Sequence, residues 1–240
     1  MAQIWLQAEG WDQFPGLVHG FSSRLGNNHT GLFRLGADHL TLCTVRQVHG
    51  DEILVIDQSS TAWNECPQAD GMITTETNVL LGIVSADCVP VLIVAPQHGL
   101  VAALHAGWRG TLTGISPRAV ARLATGWNIE PTNLWIALGP AIGGCCYEVG
   151  AEIGEAMAQR WVTSSLAVWQ PRGEKGFLDL RLVNCAQFMH AGVPREHLQV
   201  VGPCTFCDSE RFASSRREGP AASRQLSVIG WWGGELGQTG

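Results

Sequence analysis

Apolar and β-branched residues gather in short runs along this chain, at Ile53–Asp57, Met72–Thr75, Val79–Ser85, Val89–Ala95, Leu100–Leu104, Leu134–Leu138, Leu166–Gln170, Leu198–Val201 and Gln225–Ile229. Their lengths and bounding turn residues predict strands. Three segments, Pro117–Thr125, Ala151–Val162 and Leu180–Ala191, instead have helical spacing and composition. Ser116 stands where an N-cap belongs, with Pro117 at the first helical position; a helix starting earlier, near Thr111, would be kinked at Pro117. The strands come in groups with few helices between them, which argues against a regularly alternating parallel α/β fold and predicts an α+β sandwich. No Pro/Ser-rich linker, charge block or repeat divides the chain, and Gly26–Gly31 reads as a loop. Residues 1–240 are therefore expected to form one domain.

Two of these runs bring chemistry together. Pro96-Gln97-His98-Gly99 is turn-like and joins the run that follows Cys88 to the run that ends in His105-Ala-Gly-Trp-Arg-Gly110, which predicts an antiparallel hairpin. With the turn centred on Gln97 and His98, Pro96 faces Gly99 and His105 faces Pro90. Cys88 then shares a face with His105 as its diagonal neighbour, roughly 7–8 Å away between backbones. A slip of one residue would send the two side chains to opposite faces.

Composition narrows the function classes. The 240 residues carry a net charge of −6, are 45% hydrophobic and only 15% charged, so the chain lacks the basic field of a nonspecific nucleic-acid binder. A small anionic ligand needs only one or two arginines. The start, Met1-Ala-Gln-Ile-Trp-Leu-Gln-Ala-Glu, has neither the basic residues nor the apolar segment of a secretory signal. The longest apolar stretch is broken by Ser85, Asp87 and Pro90, unlike a membrane span. A soluble cytoplasmic protein is expected, in which the eight cysteines are thiols or ligands rather than structural disulfides. Most of the ten tryptophans are expected to fill core or interface volume.

A His/Cys pair can hold zinc, and a third ligand leaves one position open for water or substrate, as in catalytic sites. His49 is the candidate third ligand, although spacing alone does not establish it. Cys88 can alternatively act as a nucleophile with His105 as its base; Asp87, adjacent on a strand, should point to the opposite face. Arg109 precedes Gly110-Thr111, where a helix start with its free N–H groups can receive an oxyanion. The segment lacks the Gly-Lys-Ser/Thr ending of a Walker loop. The run Gly139–Gly150 can line a polar ligand or serve as a tight turn. Cys145 and Cys146 are adjacent and do not make a Cys-x-x-Cys; Cys204-Thr-Phe-Cys207 does, but without a second comparable pair, so these are expected to be structural thiols. Arg211, Arg216, Arg217 and Arg224 can pair with carboxylates, receive phosphate or remain solvated.

The combined motifs resemble the YfiH family, also called the laccase-domain or multicopper polyphenol oxidoreductase family. Gln47-Val48-His49-Gly50, Ala69-Asp70-Gly71, Ser85-Ala86-Asp87-Cys88-Val89-Pro90-Val91, His105–Gly110, Gly139-Pro-Ala-Ile-Gly143, Cys146-Tyr147-Glu148 and Cys204-Thr-Phe-Cys207 through Arg216-Arg217-Glu218-Gly219 carry the resemblance, in family order. It implies a four-layered α/β/β/α sandwich and a metal site at His49, Cys88 and His105, which are then both the metal ligands and the catalytic groups. It also implies zinc (Zn2+)-dependent phosphorolysis of purine nucleosides such as inosine, adenosine and guanosine, with adenosine deamination and methylthioadenosine phosphorolysis as related activities. Arg109 and Arg24 are the expected phosphate ligands, Arg24 lying in Ser22-Ser-Arg-Leu-Gly26, which resembles the family's early Arg-Gly segment but has a shorter connection to Gln47. The family's older label implies copper (Cu2+) and polyphenol oxidation, and its link to peptidoglycan editing suits a metal-free Cys/His hydrolase. Oligomeric state is left open.

Overall fold

The computed structural model describes residues 5–24, 35, 37, 39–57, 66–161 and 168–233. The apolar runs become strands, all but Leu166–Gln170 in two mixed sheets. The first contains β1 (Trp5–Leu6), β2 (Leu17–Ser22), β3 (Thr41–Thr44), β6 (Val79–Ser85) and β14 (Gln225–Trp231), in the order β1-β2-β14-β6-β3. The second contains β4 (Ile53–Val55), β5 (Gly71–Thr74), β7 (Val89–Ala95), β8 (Leu100–Ala106), β9 (Trp135–Leu138) and β13 (Leu198–Val200), in the order β13-β9-β7-β8-β5-β4. A small sheet joins β10 (Glu148–Gly150), β12 (Lys175–Leu178) and β11 (Trp169–Arg172).

Strands β7 and β8 are buried along their whole lengths, which is why they read as continuous apolar runs instead of alternating ones. One face meets the first sheet: Leu92, Val94, Val101 and Ala103 pack with Leu81, Ile83 and Ile229. The other face, with Val91, Ile93, Ala102 and Leu104, meets helices. Each fully buried Val, Leu or Ile contributes about 1.5–3 kcal/mol. The helices are α1 (Trp108–Thr113), α2 (Ile115–Trp127), α3 (Ala151–Trp161), α4 (Leu180–His190) and the single turn α5 (Ser215–Glu218). An α+β arrangement of helices on one sheet and a second sheet beneath thus accounts for three of the expected four layers. On the outer face of the first sheet, Leu80, Leu226 and Val228 are covered by Ala37 and Leu40, and no helix among the described residues lies there.

Two expectations about the central helix require correction. It begins at Ile115, and Ser116 is not its N-cap: the buried Ser116 hydroxyl donates instead to Asn184 Oδ1 at 2.7 Å. Nor does one helix run through and kink at Pro117. The break falls at Gly114, whose φ of 99° ends α1 and starts α2; Pro117 lies in the first turn, where its missing N–H costs nothing. A side chain at Gly114 would also meet the Trp161 ring at 2.9 Å.

The other differences lie in the shorter and mixed strands. β1, β2, β3, β10 and β12 were not legible as apolar runs, because they are short or interrupted by polar residues and glycine. Gly26–Gly31, Val162 and the first two positions of Leu166–Gln170 lie outside the described residues; β11 occupies Trp169–Arg172. No helix of the described residues is long and apolar enough to cross a membrane.

Candidate metal centre

The site forms where the chain crosses from one sheet to the other. β6 ends at Ser85 in the first sheet, and Ala86-Asp87-Cys88 carries the backbone into β7 of the second, with Asp87 at φ 92°. The turn into β8 is a single 3-10 turn, Pro96–His98, closed by Gly99 at φ 57°. The register is the one expected from the sequence: Pro90 opposes His105 and Ala95 opposes Leu100. Cys88 and His105 accordingly meet.

His49 arrives by a different route, on the loop between β3 and β4, in the left-handed region at φ 62°. That conformation is costly for a non-glycine residue. Asp70 stabilises it. Its fully buried carboxylate accepts hydrogen bonds from three successive backbone N–H groups, Val48 at 3.2 Å, His49 at 2.9 Å and Gly50 at 2.7 Å. The same carboxylate contacts His105 Nδ1 at 2.8 Å. Asp70 therefore holds two of the three donor groups at once, and it was quoted in a motif without a role.

The donor atoms of His49, Cys88 and His105 all lie within 4.8 Å of one another. The two imidazole rings stand edge to face, with centroids 4.9 Å apart and planes at 78°. With Nδ1 committed to Asp70, His105 directs Nε2 at the thiol. This is the carboxylate–histidine arrangement that fixes tautomer and ring orientation in metal sites. The glycines of His105–Gly110 are explained here too: a Cβ at Gly107 would sit 3.1 Å from His49 Cδ2 and 3.2 Å from Cys88 Sγ, and a Cβ at Gly110 would strike Gly50 O.

Electrostatics follow the geometry. Burial alone would raise the Cys88 thiol, but hydrogen bonds from His105 and His49, with their charge, bring it down to about 6. Burial alone would lower His105, yet Asp70 and Cys88 raise it to about 9. Without a cation the pair is thus thiolate and imidazolium near neutrality. Burial opposes ionisation of Asp70, but the His105 contact and the Gly50 and Val48 N–H groups hold its carboxyl below the usual range.

A cavity of about 370 Å3 opens over the three donors, lined also by Arg46, Gln47, Ser85, Ser215 and Arg224. Neither Arg109 nor Arg24 is among its lining residues. Arg109 is exposed on α1, its guanidinium 4.5 Å from the Trp108 ring centroid, and with Arg216 it acts electrostatically on Tyr147. Burial, then the charge of Cys88, raises that phenol to about 12. Arg24 is tied to the 209–218 segment, donating to Glu218 Oε1 at 2.5 Å and Phe212 O at 3.1 Å. Asp87 turns away from the donors, as expected, and accepts from Thr205 Oγ1 at 2.7 Å, Ser214 Oγ at 3.0 Å and the Arg216 N–H at 2.7 Å.

Of the arginine-rich stretch, Arg211 pairs with Asp208 and Arg217 with Glu218, while Arg224 reaches the cavity. The expectation that Cys204 and Cys207 lack a second pair is corrected: Cys145, Cys146, Cys204 and Cys207 converge, their sulfurs within 4.8 Å of one another. Adjacent cysteines in one loop supply the partner pair that a search for a second Cys-x-x-Cys misses.

Fold and site together define a two-sheet α+β protein with a three-donor His/Cys centre backed by a buried carboxylate. A family model described as multi-copper polyphenol oxidoreductase laccase matches residues 23–232, and the chain belongs to that family, the YfiH family of the sequence resemblance. It is 33% identical to the purine nucleoside phosphorylase YlmD of Geobacillus stearothermophilus, over 95% of each chain. The crystal structure of that YlmD superposes with a TM-score of 0.84, covering 96% of this chain and 100% of the other. The adenosine deaminase RL5, from an unknown prokaryotic organism, is 33% identical over 82% of this chain and 77% of its own. The crystal structure of the Bacillus licheniformis hypothetical protein YfiH superposes with a TM-score of 0.85 at 26% identity, covering 95% and 96% of the two chains.

Proposed function

We propose that this chain is a purine nucleoside phosphorylase with zinc at His49, Cys88 and His105. The observation that carries the reading is the Asp70-buttressed His/Cys/His cluster at the floor of the cavity. Relatives named purine nucleoside phosphorylase and adenosine deaminase support the substrate class. The donors fit zinc: two imidazoles and a thiolate of lowered pKa, a second partner for His105, and at Gly107 a missing Cβ that would otherwise fill the cradle. Held by these three residues, zinc would supply Lewis-acid chemistry, which suits both phosphorolysis and a deaminase side activity.

The protein's own groups do the rest. Asp70 keeps His105 in one tautomer. Arg46 and Arg224 line the cavity beside the donors and offer charge-assisted hydrogen bonds to phosphate, with Arg109 adding positive charge by way of the Tyr147 side. Arg24 is paired with Glu218, on the short helix whose Ser215 lines the cavity. Hydrogen phosphate supplies the oxygen for the new bond to the anomeric carbon, and its proton balances the departing base. A cavity of this size lies within the range of small-molecule sites.

The test is to incubate purified protein with inosine and phosphate and follow hypoxanthine and ribose 1-phosphate by chromatography. Phosphate-dependent release of both supports the reading; zinc-loaded protein that releases neither sinks it. Polyphenol oxidation by a multicopper mechanism is disfavoured by the histidine distribution. Among the described residues only His49 and His105 converge, and His19 is a core residue that accepts from Ala8 N and is pushed down to about 4 chiefly by burial.

One observation favours a second reading. Asp70, His105 and Cys88 line up as orienting acid, base and nucleophile, the order of a thiol hydrolase. Metal-free protein active on cell-wall peptides and inactivated by alkylation at Cys88 would establish it.

A further inference from the structure

We propose that the chain carries a second metal centre, a closed structural tetrathiolate site for zinc formed by Cys145, Cys146, Cys204 and Cys207. Zinc–sulfur bonds of about 2.3 Å in a tetrahedron put the sulfurs about 3.8 Å apart. Here Cys145 and Cys207 are 3.7 Å apart, Cys146 and Cys207 are 3.3 Å apart, and no pair among the four exceeds 4.8 Å. Coordination thus needs shifts of about 1 Å at most, on the scale of a rotamer adjustment.

The backbone presents these thiols on two turns, each closed without help from sulfur. In one, the N–H groups of Cys146 and Tyr147 donate to Gly143 O at 2.9 and 3.0 Å; in the other, Asp208 N donates to Cys204 O at 3.1 Å. A bridge between Ala141 and Cys204 aligns the two. The Gly143 N–H points at Cys204 Sγ at 3.2 Å, and those of Phe206 and Cys207 are also directed there. Peptide N–H groups around a cysteine sulfur favour the thiolate, the form that binds metal. Packing does not explain the cluster. Cys43 and Cys185 are buried cysteines of the ordinary kind, whereas Cys145 and Cys207 are exposed and Cys146 is half-buried.

The site would staple segment 139–147 to segment 202–219. Both hold Asp87, the residue before Cys88: Ile142 N donates to Asp87 O at 3.0 Å, and Thr205, next to Cys204, donates to its carboxylate at 2.7 Å. Four sulfur donors leave no open position, so the role is structural and positioning.

The two centres share no ligand, so one can fail while the other stands. Protein is purified under reducing conditions without added metal, and metal content is measured alongside intact mass. Wild type should hold about two equivalents of zinc and His105→Ala about one; Cys207→Ser should keep only the equivalent at His49, Cys88 and His105. Cobalt substitution should give strong sulfur-to-metal charge-transfer absorption that largely survives His105→Ala and falls to the single-thiolate contribution of Cys88 with Cys207→Ser. Should Cys207→Ser fail to fold, wild type and His105→Ala alone decide. A His105→Ala protein that is metal-free, with its four thiols free to titrate or lighter by the hydrogens of a disulfide, overturns the proposal.

Discussion

Asp70→Asn changes no volume and isolates the charge of one carboxylate. In the wild type that carboxylate accepts from His105 Nδ1 and from three backbone N–H groups, at 2.7–3.2 Å, with no exposure to solvent. Asparagine has one acceptor oxygen. If the oxygen stays with His105 and His49 N, the amide N–H2 faces the Gly50 and Val48 N–H groups, and two charge-assisted bonds are lost at about 1.5–3 kcal/mol each. If the amide flips, its N–H2 donates to Nδ1 and moves the proton of neutral His105 to Nε2, the atom needed for metal. Metal-free protein is therefore expected to lose about 3 kcal/mol in urea denaturation. Zinc affinity, by chelator competition, should fall about 10- to 100-fold, or about 1.4–2.7 kcal/mol. The sign with pH is fixed: the lowered Asp70 carboxyl stabilises the folded state above the usual carboxylate range, and that advantage disappears as pH falls through its depressed value. Asp51→Asn is the control, because Asp51 sits at the surface paired with Arg118 at 3.0 Å, where such pairs are worth under about 1 kcal/mol. An Asp70→Asn protein within twofold of wild type in zinc affinity and within about 0.5 kcal/mol in stability refutes the reasoning.

Three further outcomes follow from the same coordinates. Zinc affinity should rise about tenfold per pH unit between about 6 and about 9, the values of Cys88 and His105, because there the pair is thiolate and imidazolium and releases one proton on binding. Below that window the slope should steepen, above it flatten; chelator competition across pH reads it, and a flat profile in the window contradicts the assigned charges. Gly107→Ala, whose Cβ would lie 3.1 Å from His49 and 3.2 Å from Cys88, should weaken metal binding at least about tenfold with thermal stability nearly kept, whereas unchanged metal content would show that the cradle has room. Gly114→Ala should cost about 1–3 kcal/mol in equilibrium unfolding, from its φ of 99° and the Trp161 contact at 2.9 Å; a neutral result would mean the helix break does not depend on it.

Much of the fold was legible because burial on both faces writes itself as a continuous apolar run. β6 through β9 show this, and β7 and β8 could even be registered, since the Pro96–Gly99 turn sets which residues oppose. Shorter or mixed strands carry no such signal: the edge strand β3 has one buried position in four residues, and β2 is interrupted by His19 and Gly20. The helix start was misread at Ser116 because local capping chemistry resembles a serine that spends its hydroxyl on Asn184, a partner 68 positions away.

The site was legible only as far as it is local. Cys88 and His105 are joined by one hairpin, so strand alternation could place them; His49 belongs to a loop whose shape depends on a carboxylate 21 positions later, and spacing could not place it. Asp70 did leave a signal, an acidic residue held within Ala69-Asp70-Gly71 at the entrance to an apolar strand, in a chain where charge is scarce. A buried acid there must find donors, and the donors it finds are the backbone of the His49 loop and the ring of His105. The same hydrogen bonds offset both the cost of His49 at φ 62° and the cost of burying Asp70. Metal affinity at the proposed site is therefore expected to read how well the seam between the two sheets is assembled. Substitutions that loosen that seam should show in metal binding before they show in global stability, because the His49 loop is aligned with the hairpin that carries Cys88 and His105 through the seam and Asp70.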